Sequence, residues 1–182
     1  MKGQTMAKAK SQSGTRRPGK CVVGVVMGSD SDLAAMQRCI DTLAELGIGH
    51  EARIISAHRT PEVADEYARS AEARGLKVLI AAAGMSAALG GVLAGRTTLP
   101  VIGVPMVSGP LAGVDAALST MQMPPGVPVA CMAIGPAGAT NAAIFAAQIL
   151  AVSDAALAGK LKQYRAQQAR KVVEKDAALQ QR

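Results

Sequence analysis

Two six-residue loops, each placed after an apolar run of strand length, concentrate the groups able to do chemistry. Met27-Gly28-Ser29-Asp30-Ser31-Asp32 follows residues 21–26, and Ser56-Ala57-His58-Arg59-Thr60-Pro61 follows residues 53–55. Between them they offer hydroxyls, carboxylates, one guanidinium and one imidazole. An imidazole is the side chain whose ordinary pKa sits near neutral pH, so His58 is the candidate for moving a proton. Ser56 and Arg59 have the chemistry to hold a phosphate, and helix N-termini opening after such loops favour an anion. Ser29 and Asp32 are the polar residues expected to face a ligand from the first loop, although Ser and Asp ahead of a helix also serve as ordinary caps. The second histidine, His50, lies at the opposite end of its strand and is expected to be structural. Two separated histidines give no metal-ligand spacing, and no glycine-rich nucleotide fingerprint is present.

Around these loops the chain alternates strand and helix patterns. Strands are expected at residues 21–27, 51–56, 77–82, 99–104 and 129–134. Leu33, Met36, Ile40, Leu43 and Leu46 recur at helical spacing and stop at Gly47. Pro61 suits the first position of a helix capped by Thr60 and running to about Arg74. Pro105 is expected to end the fourth strand. Further helices are expected at residues 111–121 and 141–152, with residues 135–139 a small-residue loop. A long amphipathic helix is expected from Asp154 to about Leu179. Five strands separated by helices imply one parallel sheet with right-handed crossovers and helices on both faces, hence an α/β fold. In such a sheet the strand-to-helix loops share one edge, where ligands bind. The glycine- and alanine-rich stretches at residues 83–91 and 135–139 share that edge with His58, and Ser108 and Gly109 extend its wall.

At 182 residues with 49% hydrophobic content, the chain suits one compact α/β domain from residue 21 onward, including the last helix. Alanine and glycine fill a core that holds almost no aromatics. The formal charge of +7 is uneven: residues 1–20 carry six cations and no acid, leaving the rest at +1. That head reads as a basic disordered tail, and the remainder has neither the basic patch nor the stacking aromatics of a nucleic-acid binder. No apolar stretch reaches membrane-spanning length. Cys21, Cys39 and Cys131 are odd in number and widely spaced, which fits a reducing cytoplasm.

Five motifs then appear in order: Met27-Gly28-Ser29-x-Ser31-Asp32, Ser56-Ala57-His58-Arg59-Thr60-Pro61, Ile102-Gly103-Val104-Pro105, Gln122-Met123-Pro124-x-Gly126-x-Pro128 and Ala137-Gly138-Ala139-x-Asn141-Ala142-Ala143. Over residues 22–164 the chain resembles the N5-carboxyaminoimidazole ribonucleotide mutase family of de novo purine biosynthesis. The resemblance implies a flavodoxin-like three-layer domain assembled as a homo-octamer, with the C-terminal helix reaching a neighbour and no metal or organic cofactor. It implies ribonucleotide contacts from Ser29, Asp32, Ser56 and Arg59, with Gly84, Ser86 and Leu89 added from the third loop, and the acid–base role for His58. One stretch departs from the pattern. At residues 85–91 (Met-Ser-Ala-Ala-Leu-Gly-Gly) Ala88 stands where that family carries a histidine, and the Ser-x-Ala-Leu-x-Gly spacing is closer to a sister class that carboxylates aminoimidazole ribonucleotide directly with CO2. The alternatives beside a mutase are therefore that direct carboxylase and a non-catalytic nucleotide-phosphate binding module.

Overall fold

A computed structural model describes residues 20–181; the expected basic tail lies, but for Lys20, outside the described residues. Strand β1 spans Val23–Met27, β2 His50–Ile54, β3 Val78–Gly84, β4 Val101–Met106 and β5 Ala130–Cys131. All neighbours pair in parallel, in the order β2-β1-β3-β4-β5. The helices are α1 (Leu33–Leu46), α2 (Pro61–Ser70), α3 (Leu89–Ala94), α4 (Val114–Met121), α5 (Pro136–Ala151) and α6 (Ala155–Gln180), with a single 3-10 turn, Asp30–Asp32, ahead of α1. This is a flavodoxin-like α/β architecture.

The two-residue period of the strands sorts their side chains into two cores. Val23, Val25, Met27, Val78, Ile80, Ile102 and Val104 face α1 and α5, packing on Met36, Cys39, Leu43 and the alanines 139, 142, 143, 146 and 147. Val26, Leu79, Ala81 and Val101 face the other layer, with Ala64, Tyr67, Leu89 and Leu93. Both faces of β1, β3 and β4 are covered, which is why these strands read as continuous apolar runs. Edge strand β2 is largely exposed and carries charge instead. Small residues set the layer spacing. A β-carbon on Gly24 would collide with the Tyr67 hydroxyl, and one on Gly103 with the Thr120 methyl group.

Where the elements differ from expectation, the backbone explains it. Pro105 does not end β4 but lies inside it, paired opposite Ala83. Strand β5 reaches only Ile102 and Gly103, so on its side no ladder bond is asked of the missing Pro105 N–H. The expected fifth strand shrinks to two residues, flanked by Pro128 and by a chain that turns away at Met132. The stretch taken as a small-residue loop is the first turn of α5, with Pro136 at its first position. Gly138 is required there because a β-carbon would collide with the Ala133 carbonyl oxygen. Helix α4 starts three residues late, after Ala112 and Gly113 in left-handed conformation. Helix α2 ends at Ser70, and residues 71–75 finish as turns. The C-terminal caps of α1 and the start of α6 fall where the sequence puts them: Gly47 adopts φ 75°, and Asp154 accepts from the Leu157 N–H.

Candidate active site

Four strands end at one edge and deliver their following residues to a single cavity of about 400 Å³. β1 is extended by Gly28, whose N–H donates to Ala82 at 2.9 Å, after which Ser29 turns the chain in extended conformation. The Ser29 hydroxyl accepts from the Ser31 N–H (3.3 Å) and the Ser31 hydroxyl (2.9 Å), closing a small serine cluster ahead of α1. Asp32 follows, nearly buried at 7% exposure. Burial pushes its carboxyl pKa up, a hydrogen bond to the Ser29 backbone opposes this, and the charge of Asp30 adds to the rise.

The second loop is braced internally. Thr60 Oγ1 accepts from the Ser56 N–H at 3.1 Å and donates to the Ser56 carbonyl at 2.9 Å, so Thr60 sits at the N-cap of α2 with its side chain turned back into the loop. The Ser56 hydroxyl accepts from Arg59 N–H and Nε, while Arg59 Nη2 donates to the Gly28 carbonyl at 3.1 Å. One guanidinium thereby staples the β1 and β2 loops and remains the only cation among the lining residues. His58 projects from the same brace and is exposed.

The third loop follows β3. Gly84 ends the strand, and Met85 adopts φ 54°, a left-handed conformation that costs a non-glycine residue roughly 1 kcal/mol. Ser86, Ala88 and the buried Leu89 complete this wall, and Ser108 closes it from the end of β4. A β-carbon on Gly84 would lie 2.7 Å from the Ser108 β-carbon.

Thus His58, Ser29, Asp32, Ser56, Arg59, Gly84, Ser86 and Leu89 all line one cavity. Ser31 and Ser108 line it too, although sequence reasoning placed them only in the loop and on the wall. Their signal was position, since both follow a strand end at the edge where His58 lies. His50 stands apart at the start of β2, its Nδ1 3.0 Å from the Ile48 carbonyl. The cavity offers one imidazole and one carboxylate to a metal, and among the described residues no group of three His, Cys, Asp or Glu gathers.

A flavodoxin-like sheet whose strand ends gather a guanidinium, an imidazole, a carboxylate and several hydroxyls defines an α/β protein with a candidate small-ligand site. A model of the AIR carboxylase family matches residues 22–171, and the chain belongs to that family. It is 50% identical over 153 residues to the N5-carboxyaminoimidazole ribonucleotide mutase of Pseudomonas aeruginosa, covering 84% of this chain and 94% of that one. Against the mutase of the same name from Bacillus subtilis, identity is 50% over 158 residues, covering 87% and 98%. Among solved structures, Treponema denticola PurE superimposes with a TM-score of 0.78 at 33% identity, covering 87% of this chain and 98% of that one.

Proposed function

We infer that this protein is a mutase that converts N5-carboxyaminoimidazole ribonucleotide into 4-carboxy-5-aminoimidazole ribonucleotide in purine biosynthesis. The observation that carries the reading is one cavity collecting Arg59, Asp32 and His58 in a chain half identical to proteins named for this reaction. Arg59, held beside the Ser56 hydroxyl, provides a charge-assisted site for the phosphate. Ser29 and Asp32 face the ribose, with the Asp32 carboxylate an acceptor for its hydroxyls. Gly84, Ser86 and Leu89 form the wall for the base.

In the reaction the bond from the exocyclic nitrogen to the carboxyl carbon breaks, and CO2 leaves its bonding electrons on nitrogen. The ring carbon then attacks the trapped CO2, forming the carbon–carbon bond. The nitrogen gains one proton and the ring carbon loses one, so the whole is an isomerisation needing no oxidant or reductant. His58 manages the proton on the ring carbon, and the step requires the site to close over the substrate so that CO2 does not escape. The substrate is a small ribonucleotide, and the reading includes no nucleic-acid partner. A homo-octamer in the cytoplasm accords with the family resemblance; no helix among the described residues is long and apolar enough to cross a membrane.

A direct CO2-dependent carboxylase is the second reading, favoured by the sequence of residues 85–91, since Met85, Ser86, Ala88 and Leu89 line the cavity. Rates with the N-carboxylated ribonucleotide and with aminoimidazole ribonucleotide, each at low and high bicarbonate, separate the two. The mutase turns over the first without added bicarbonate, because its own CO2 is delivered at an effective concentration that dissolved CO2 does not match. Robust turnover only with free CO2 overturns the mutase reading.

A further inference from the structure

Five serines line the cavity, and their hydrogen bonds divide them. Ser29 and Ser31 bond to each other, and Ser56 accepts from Arg59. The hydroxyls of Ser86 and Ser108 have no hydrogen-bond partner among the described residues, so each keeps a donor and an acceptor for whatever fills the space. Ser86 is exposed in the loop after β3, whereas Ser108 is half-buried two residues past the end of β4. The approach to Ser108 is cleared by Gly84. That glycine has no left-handed conformation to explain it, and what a side chain there would strike is the Ser108 β-carbon itself.

Sheet order places this hydroxyl opposite the cation. Arg59 staples the loops of β1 and β2, while β4 lies two strands beyond β1, about 10 Å across the sheet. The substrate of the proposed reaction carries two anionic groups, the phosphate and the carboxyl. The single guanidinium goes to the phosphate, and the Asp32 carboxylate repels a second anion. Neutral donors on the far wall are left for the carboxyl.

We propose that Ser108 is a catalytic residue of the mutase reaction, its hydroxyl donating to a carboxyl oxygen while CO2 is between nitrogen and carbon. The inference rests on the mutase reading above. Free CO2 is uncharged and weakly held, so a fixed donor keeps it beside the ring carbon. The same donor stabilises the negative charge that develops on oxygen as the carbon–carbon bond forms.

The test supplies the N-carboxylated ribonucleotide in CO2-free buffer and measures, above the uncatalysed loss, how product formation divides against CO2 release. Ser108→Ala and the near-isosteric Ser108→Cys are compared with the wild type, each with its melting temperature. Both variants should keep KM within about twofold, lose about tenfold in kcat for product, equivalent to about 1.4 kcal/mol of transition-state stabilisation, and release several-fold more CO2 per product formed. A Ser108→Ala enzyme with wild-type partition overturns the inference, as does a raised KM at unchanged kcat, which would move Ser108 to the phosphate or ribose. Wild-type partition in Ser108→Cys overturns it as well, by showing that volume and not the hydroxyl matters. A wild-type enzyme making no product without bicarbonate overturns the mutase reading and this inference with it, a failure visible before any variant is compared.

Discussion

His58 and Arg59 are neighbours in sequence with separable tasks, and substitution should split them. His58→Asn keeps size and polarity but removes a group able to exchange a proton near neutral pH. It should fold normally and lose about two to four powers of ten in turnover. A variant retaining over half the activity would take His58 out of the mechanism. Arg59→Ala removes the cation that bridges Ser56 and Gly28. Its effect should appear chiefly as weakened substrate binding, with KM rising more than kcat falls; an unchanged KM would place the phosphate elsewhere. Asp32 allows a test through pH. Its folded-state pKa is raised by burial, so its charged form opposes folding above that pKa, and the penalty disappears as pH falls through it. Asp32→Asn should therefore melt higher than wild type at neutral pH, with the gap closing in acid, while binding ribonucleotide more weakly. A gap that widens on acidification would reverse the sign assigned to this carboxyl.

At the scale of elements, the layers are held at close range by residues with no side chain. Gly103 on β4 lies beneath Thr120 of α4 and within 3.0 Å of Val129, measured from where its β-carbon would be. Gly103→Ala overpacks that contact and should destabilise the fold by about 1–3 kcal/mol, read from urea denaturation. Gly126, whose surroundings are empty, tests something different because its φ is 94°. Such packing relations are poorly legible in one sequence, since a glycine chosen for space looks like a glycine chosen for a turn. The same ambiguity hid the start of α5, where Pro136-Ala137-Gly138 reads as a loop until Ala133 is seen against it. Pro105 misled for a related reason: it is permitted inside β4 only because β5 is too short to pair there. What was legible followed from geometry that any parallel α/β sheet shares. Apolar runs of strand length alternate with amphipathic helices, and the residues after each strand gather at one edge, which brings Ser29, His58 and Ser86 together from the sequence alone. Ser108 escaped full notice because its strand was expected to stop at residue 104.

For the whole molecule, the exposed apolar surface leads us to propose an assembly of several copies. Helix α6 is 26 residues long, and only its beginning packs on the domain, through buried Leu157 and the Lys160 ammonium donating to the Leu46 carbonyl at 2.8 Å. From Arg165 onward every described residue is exposed, a run that at 1.5 Å per residue extends about 25 Å. Most helical stability in proteins comes from packing one face, and this run has no packed face among the described residues. Val172 and Val173 are each 68% exposed, and on α4 Val114, Leu118 and Met121 are all more than half exposed. Copies of the same chain, assembled as the family resemblance implies, would cover these surfaces. Light scattering should then show one species at a multiple of the monomer mass. Truncation after Tyr164 should lower that mass or broaden its distribution, and reduce thermal stability, while leaving the cavity's own residues in place. A stable, active monomer of the full chain would refute the oligomer; a truncated chain that assembles and melts like wild type would show that the exposed half of α6 contributes nothing to the interface.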